Sequence, residues 1–294
     1  MLPEGAIIPP YVSNSNLNSS FLNFIRKGMN VWIILFAVLL SALTAGGCAT
    51  AVPWLSMPRA PGEESSASLN LTTALWERAA FTPPLAGPLT NGGSQSAEKT
   101  SPWTTRAKFA WDPKHLYVLI ESVGPHPASP FTRHDELLHQ ADAVEIFLDV
   151  TGNRHRIVEV QVSPNNITAD YLHVWDQKAM YPADRIDADF YRAHHRADLA
   201  WDLRGLRTQS LLEPADNGQT RWTVMMAIPL SEILAADGRT PPLGRNQTLY
   251  VNVLRYAYAS KGARRTFHHY NLVPVRKGCP HQSPMAVVPL KATD

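Results

Sequence analysis

The chain has 294 residues, of which 45% are hydrophobic and 24 are proline, and its formal net charge is +2 at pH 7. A chain of this length can form one large hydrophobic core or two modest ones. The nearly balanced charge, together with the lack of basic clusters interleaved with aromatic residues, argues against a nucleic-acid partner.

An apolar run near the N-terminus is the first segment with a clear pattern. Residues 31–45, VWIILFAVLLSALTA, follow Arg26 and Lys27, as the h-region of an export signal follows its charged n-region. The run is short for a membrane span, which needs roughly 20 residues. It ends in TAGGCAT, where small residues precede Cys48 as in a bacterial lipobox. We therefore predict an N-terminal extension and lipoprotein signal peptide over residues 1–47, with lipidation at Cys48; the alternative is a plain secretory signal cleaved nearby.

The segment after this cysteine is expected to be a tether. Residues 48–68 are rich in Pro, Ser and Ala and have no apolar periodicity, which is typical of a flexible linker. The folded domain is expected over residues 69–294. The only other cysteine is Cys279, so a domain anchored through Cys48 would fold without a disulfide bond. Ala49 rather than Asp after the lipidated cysteine favours an exported protein that is lipid-anchored in the cell envelope, at the outer membrane.

Strand patterns follow one another through the rest of the chain, separated by turn residues. The single confident helix is PLSEILAA (229–236), in which Pro229 can occupy the first turn. Many short strands with few helices predict an all-β fold, an antiparallel β-sandwich of about ten strands with one short helix. The strand candidates are residues 105–112, 115–123, 142–150, 156–164, 167–175, 206–212, 221–229, 247–258, 266–273 and 285–290.

One strand pattern carries an acid on its polar side. In ADAVEIFLDV (141–150), alternation puts the aliphatic side chains on one face and Glu145 on the other. Pairing with RIVEVQVSP through the TGN turn would add Glu159 and Gln161 to the face of Glu145. Asn252, in LYVNVLRY, is a further candidate. This patch of two acids and two amides is either a ligand site or the solvated outer face of an antiparallel sheet.

Five sequence blocks, in order and with similar spacing, resemble family-9 carbohydrate-binding modules and their DOMON-like relatives. The blocks are FAWDPKHLYVLIES, ADAVEIFLDV, VEVQVSPNNITADY, RWTVMMAIPLSEI and LYVNVLRY. The resemblance covers roughly residues 70 to 290. It implies a β-sandwich that binds an oligo- or polysaccharide, often of plant type, and that holds structural calcium. Glycan-degrading enzymes would then be natural partners.

The resemblance also implies which residues bind the sugar. In the family, two tryptophans sandwich the sugar ring, while charged and amide side chains bind its hydroxyls. By position, Glu145 falls in the sugar site, and His139 and Cys279 fall where the two tryptophans stand. Because both indoles are replaced, a degenerate module that acts in protein–protein interaction is a competing interpretation. Candidates for a substitute ring contact are Trp175, Tyr270, Phe267, His269 and Trp103.

The histidines and aspartates of the chain are residue types that can bind metal ions. Adjacent histidines occur in AHHR (193–196) and FHHY (267–270), but neighbours on a strand point to opposite faces. There is no HExxH or paired-cysteine signature either, so no transition-metal site is predicted. For calcium, Asp142, Asp149 and Asp170 are suitable residue types without EF-hand spacing, so no ligands are assigned.

The sequence also bears on two other functions, haem-b electron transfer and glycoside hydrolysis. DOMON-like sandwiches include haem-b domains, whose iron is usually held by Met with His or Lys, and this chain offers Met225, Met226 and Met285. Haem-b electron transfer is therefore the alternative from another functional class. No GxSxG elbow or phosphate-binding loop is present, and cross-strand acids such as Glu145 and Glu159 more often form a hydroxyl-binding patch than a glycosidase pair. The predicted function is non-catalytic carbohydrate binding by a membrane-anchored envelope lipoprotein.

Overall fold

The computed structural model of the chain describes Met57, Arg59, Leu69, Tyr181 and residues 74–87, 102–176, 186–240, 247–261, 264–275 and 279–290. All of these residues belong to one compact unit, Val52–Asp294. Within these ranges, no helix has the length and apolar character needed to cross a membrane. The predicted signal peptide and Cys48 lie outside the described residues.

Two antiparallel sheets form the fold, as predicted. The smaller sheet has the strand order β1-β2-β8-β7, and the larger has the order β10-β9-β3-β4-β5-β6, with β11 also pairing with β9. The strands of the small sheet are β1 (Thr104–Trp111), β2 (His115–Gly124), β7 (Arg207–Pro214) and β8 (Thr220–Pro229). Those of the large sheet are β3 (Ala143–Asp149), β4 (Arg156–Val162), β5 (Thr168–Trp175), β6 (His195–Asp198), β9 (Gln247–Lys261), β10 (Arg264–Asn271) and β11 (Ala286–Leu290).

Three short α-helices accompany the sheets in the described ranges: α1 (Ala74–Arg78), α2 (Ala188–His194) and α3 (Leu230–Ala236). The last of these confirms the predicted helix, whereas the expectation of a single helix was too low. Helix α2 begins at an Asp187 cap, whose side chain accepts hydrogen bonds from the backbone N–H groups of Asp189 and Phe190. Such a cap stabilises a short helix that has no buried face, which is why apolar periodicity did not reveal it.

The main core lies between the two sheets. It contains the aliphatic side chains of β3 and β4, as their alternation predicted, together with the inward side chains of β2, β8 and β9. Yet every residue of β3 is buried, so the opposite face of the large sheet is covered as well. Residues 125–142 cover one part of this outer face, where Leu138 packs on Ala143 and Tyr171. Val275 and Met285 cover another part, above Phe147.

Contact with the domain starts ahead of the predicted boundary at Leu69. Met57 is only 5% exposed and belongs to the main core. Arg59 forms a parallel backbone bridge with Trp111, the last residue of β1. Part of the segment that was predicted as a tether therefore packs on the sandwich.

A buried ion pair interrupts the apolar core. Arg255 of β9 is fully buried on the inner face, and its Nη2 donates to Oδ1 of Asp142 at 2.7 Å. Its guanidinium carbon also lies 4.7 Å from the ring centroid of Trp222 on the facing sheet. Burial lowers the pKa of Arg255, while the carboxylate of Asp142 favours its charged form. Through the contact of Arg255 with Trp222, the pair joins the two sheets. Its acid, Asp142, is one of the aspartates named above as suitable for calcium.

Replacing one member of this pair should destabilise the domain. We expect Arg255→Met to lower the free energy of unfolding by about 3–5 kcal/mol, because Asp142 would remain as a buried charge without its partner. Chemical denaturation of the full-length chain measures this loss. The control is Arg221→Met, whose guanidinium pairs with Glu121 at 2.6 Å but is 43% exposed; that variant should lose less than about 1 kcal/mol. Similar losses in both variants would contradict the importance of the buried pair.

Candidate functional site

The predicted acids and amide meet on the outer face of the large sheet. Glu145 of β3 lies directly opposite Gln161 of β4, and Glu159 lies two residues before Gln161. The Gln161 side-chain amide donates to Oε1 of Glu145 at 2.9 Å and also contacts Oε1 of Glu159. Because Glu145, Gln161 and Glu159 are 2%, 1% and 5% exposed, they form a closed network rather than a solvated sheet face.

The structure gives two further predicted residues supporting contacts. His139 lies on a 3₁₀ turn, Leu138–Gln140, and its backbone N–H donates to Oε1 of Gln161 at 3.1 Å. Asn252 of β9 is fully buried, and its side chain both donates to the carbonyl of Val273 at 2.9 Å and accepts from its N–H at 3.0 Å. Asn252 therefore holds the covering segment onto the sheet.

The two predicted ring contacts do not join this network. Trp175 is on the outer face of β5 but is completely buried, with its ring 4.9 Å from that of His195. Tyr270 points to the inner face of β10 and belongs to the main core, 6.3 Å from Trp103. Neither side chain offers a free ring surface to a ligand on the outer face.

An aromatic patch lies beside Glu145 instead. It consists of Tyr256 and Tyr258 of β9, Phe267 and His269 of β10, and His139. Phe267 is its most exposed member, at 46%, and its ring stacks on that of Tyr256 at 5.7 Å. The Tyr256 side chain also interacts with the carboxyl group of Glu145. Ring surface and hydrogen-bonding groups therefore adjoin at this position.

A cluster of three histidines extends the network on its other side. His173 of β5, His195 at the start of β6 and His281 of the covering segment are each less than 10% exposed. Nδ1 of His173 lies 2.9 Å from Nε2 of His195, and its Nε2 lies 2.5 Å from Oε2 of Glu159. Nε2 of His281 is 3.5 Å from the same carboxylate oxygen. We call His173, His195 and His281 the histidine cluster.

Sequence reasoning missed this cluster because its members come from three separate segments. In FHHY the two rings do point to opposite faces: His269 faces Tyr256, whereas His268 faces Trp103. In AHHR, His194 ends helix α2 and His195 begins β6, so the strand argument did not apply there, and His195 joins the cluster with histidines from two other segments. Only the alternation of ITADYLHVW, which puts His173 and Trp175 on one face, was visible beforehand.

Burial and mutual contacts separate the charge states of this network. Burial, and then the charge of Glu159, raises the pKa of Glu145 well above its usual range. Burial would also raise the pKa of Glu159, but hydrogen bonds from His173 and His281 outweigh it and hold that pKa well below the usual range. Burial and the neighbouring histidines lower the pKa of His195 to about 3 and that of His281 to about 4. The two shifts run in opposite directions, so Glu159 favours its ionised form and Glu145 keeps its proton to a higher pH than an ordinary glutamate.

Two groups of described residues have the composition of a metal site. In the histidine cluster, one nitrogen from each ring lies within 4.8 Å of the others, and the same holds for ligand atoms of His134, Asp170 and Asp202. His134 lies 3.2 Å from Asp202 and 3.8 Å from Asp170. Although burial lowers the pKa of His134, the carboxylate of Asp135 and its other partners raise it overall. The raised pKa favours the protonated form of this imidazole among the carboxylates.

The remaining candidates are occupied by structural contacts. Asp149 accepts from Nη1 of buried Arg154 at 2.8 Å. Met225 and Met226 are fully buried in two different hydrophobic clusters, on opposite faces of β8. Met285 packs in the cluster of Phe147. The predicted haem ligands are thus dispersed through apolar packing.

A known protein family matches more than half of the chain. Residues 74–240 match the family described as carbohydrate family 9 binding domain-like. No curated protein shows significant similarity to the chain.

Solved structures show the same fold. A family 9 carbohydrate binding module from Caldicellulosiruptor kristjanssonii in complex with cellotriose is 18% identical, with a TM-score of 0.52 over 82% of this chain and 94% of that one. Its complex with glucose is 18% identical, with a TM-score of 0.53 over 82% and 96%. A protein from Bacteroides uniformis ATCC 8492 is 13% identical, with a TM-score of 0.57 over 81% and 98%.

The pKa values of Glu145 and Glu159 are shifted in opposite directions. This predicts opposite effects on stability when each acid is replaced by its amide. Because its pKa is raised, Glu145 keeps its proton in the folded state at pH values where the unfolded chain has lost it, so it lowers stability as the pH rises above about 4.5. We expect Glu145→Gln to abolish this loss of stability. The free energy of unfolding of the variant should therefore rise relative to that of the wild type between about pH 5 and pH 8.

Glu159→Gln is the matched comparison for that measurement. The lowered pKa of Glu159 contributes stability above the unfolded value, and this contribution is lost as the pH falls through the folded pKa. The variant should therefore be destabilised at pH 7, by about 3 kcal/mol, with a deficit that shrinks on acidification. Denaturation in a buffer with a chelator measures both variants. Equal destabilisation of the two at pH 7 would contradict the assigned charge states.

Proposed function

The chain belongs to the carbohydrate family 9 binding domain-like family, and from that premise we propose that it binds carbohydrate without cleaving it. The ligand would be an oligo- or polysaccharide of plant or environmental origin. The similar module from C. kristjanssonii, solved with cellotriose and with glucose, supports a glucan among the first ligands to test.

The observation that carries this proposal is the exposed aromatic patch beside Glu145. The faces of a pyranose ring present C–H groups that pack on aromatic surfaces, while its hydroxyls need donors and acceptors at the rim. The Phe267 ring, 46% exposed and stacked on Tyr256, supplies such a surface. His139 and Tyr258 lie at its rim, where the Tyr258 hydroxyl donates to the His139 carbonyl at 2.9 Å.

The buried network would support this site from beneath. Tyr256 interacts with Glu145, and Glu145 is held in turn by Gln161. A hydroxyl group that is fixed in this way offers a sugar a hydrogen-bonding group with little freedom to lose on binding. Glu145, Gln161 and Glu159 would then act by positioning Tyr256, since their own polar atoms are closed off from solvent.

Anchoring to the membrane is a separate part of the proposal. The apolar run 31–45 and the small residues before Cys48 support lipidation at that cysteine and retention in the cell envelope. Several acyl chains on one cysteine would exceed the two signals needed for stable membrane attachment. A domain held there could present captured polysaccharide to glycan-degrading enzymes of the same envelope.

Binding should depend on the exposed ring. We expect the full-length chain to give saturable heat in calorimetric titration with a cello-, xylo- or manno-oligosaccharide, and Phe267→Ala to lower the affinity at least about tenfold, equivalent to about 1.4 kcal/mol. The control is Leu212→Ala, which removes a 40% exposed apolar side chain from β7 of the other sheet and should leave the affinity unchanged. No heat with any sugar, or equal losses in both variants, would contradict the proposed site.

Lipidation should depend on the cysteine after the signal. Expressed in a bacterial host with labelled fatty acid, the full-length chain should incorporate label and sediment with membranes, and Cys48→Ser should lose both properties. Cys279→Ser is the control, since this second cysteine is 5% exposed inside the domain. Label that persists in Cys48→Ser, or that disappears in Cys279→Ser, would contradict the assignment.

A further inference from the structure

We propose that His173, His195 and His281 form a binding site for a divalent transition-metal ion such as Zn²⁺, with Glu159 as the acid that orients His173. The proposal goes beyond carbohydrate binding and does not rest on it, because the three imidazoles lie on the far side of Gln161 from the aromatic patch.

The kind and number of donors support this assignment. Three imidazole nitrogens, with a water in the fourth position, are a ligand set that Zn²⁺ accepts, and imidazole also suits Cu²⁺ and Ni²⁺. Calcium and magnesium prefer all-oxygen surroundings, so this set discriminates against them. The donors come from β5, β6 and the covering segment, so an ion would join three separate parts of the domain.

The distances fit a single ion. In a tetrahedral zinc site with bonds of about 2.0–2.1 Å, ligand atoms lie roughly 3.3 Å apart. One nitrogen of each histidine lies within 4.8 Å of the others, and Nδ1 of His173 is 2.9 Å from Nε2 of His195. The closest pair is thus slightly nearer than the ideal value, and no pair of these ligand nitrogens is more than 4.8 Å apart.

The close contact between the His173 and His195 rings requires a proton or a cation between two of their nitrogens. Nδ1 of His173 and Nε2 of His195 are 2.9 Å apart, so a proton or a cation must lie between their lone pairs. A metal ion there would bind both of these nitrogens and a nitrogen of His281, whereas a proton satisfies one nitrogen pair. The compact group of three rings beside one carboxylate is better matched by a divalent ion.

His281 is the ligand that must adjust. Its ring stacks on that of His173, with centroids 3.8 Å apart and planes inclined by 27°, so its lone pairs do not yet point at a common centre with those of His173. Its Nδ1 has no hydrogen-bond partner within the described part of the chain, and its Nε2 makes only the 3.5 Å contact to Glu159. Rotation of this ring towards an ion would break one long hydrogen bond, and its packing on Phe147 and His173 would have to shift.

A second-sphere contact of the kind that orients metal ligands is also present. Oε2 of Glu159 lies 2.5 Å from Nε2 of His173, so it can accept a hydrogen bond from this nitrogen while Nδ1 of the same ring faces His195 and the ion. Gln161 contacts the other oxygen of Glu159, which leaves Oε2 directed at His173. Such outer contacts typically fix the orientation of first-sphere ligands.

The test is metal titration of the full-length chain after removal of bound metal with a chelator. We expect one equivalent of Zn²⁺ to bind with a dissociation constant tighter than about 1 µM and to raise the melting temperature. Co²⁺ in its place should give visible absorption bands of a tetrahedral complex. Absence of saturable binding at one equivalent would overturn the proposal.

Variants locate the ion. His281→Asn, on the covering segment, and His195→Asn should each weaken binding by more than about 100-fold, since even outer partners of metal ligands are worth about 10- to 100-fold. The control is His269→Asn, a histidine on the same sheet face but outside the cluster, which should bind Zn²⁺ like the wild type. Unchanged affinity in both cluster variants, or equal loss in the control, would overturn the assignment.

Two further measurements keep the result clear of other effects. Circular dichroism establishes that each variant is folded, and His173→Asn supplies a third test of the ligand set if one of the other two histidine variants is not. Phe267→Ala, which should lose the sugar, should retain the metal, and His281→Asn should retain the sugar. Failure of the metal site and failure of the sugar site are therefore separable.

Discussion

Burial of both faces of the large sheet is the constraint from which the unusual features of this domain follow. An antiparallel sheet in a sandwich commonly leaves its outer face to water, where acids and amides need no partners. Here β3 is buried along its whole length because two irregular segments cover the outer face. Polar side chains under that cover must satisfy one another, since an unpaired buried polar group costs about 1–3 kcal/mol and more when charged.

Asn252, Gln161 and the two acids of the covered face have partners that reflect this constraint. The Asn252 side-chain amide forms hydrogen bonds with both the carbonyl and the N–H of Val273, and so holds the covering segment on the sheet. Gln161 links two carboxyl groups that would repel each other if both were ionised. The pKa values of Glu145 and Glu159 are displaced in opposite directions, so that one charge is removed and the other is matched to His173. The inner face solves the same problem differently, with Arg255 and Asp142 as a full ion pair.

The parts of this arrangement that sequence could predict are those set by local periodicity. The alternation in ADAVEIFLDV and RIVEVQVSP was enough to bring Glu145, Glu159 and Gln161 to one face, and the family resemblance indicated the sandwich. Parity failed for Tyr270, because the run FHHY has aromatic side chains on both faces and gives no reason to prefer either. His281 reaches Glu159 across 122 residues of chain. Such a contact depends on how the covering segment folds back, which no local pattern describes.

The same cover accounts for the surroundings of Cys279, a position that the family resemblance aligns with a tryptophan. Cys279 is 5% exposed, and the same turn inserts His281 between Phe147 and His173. An indole in this segment would have to displace packed side chains, so the segment serves the buried network and not an open platform. Exposed ring surface is found instead at Phe267, beyond the edge of the cover. Closure of residues 279–285 over the sheet thus assembles the histidine cluster and leaves the exposed ring surface on β10.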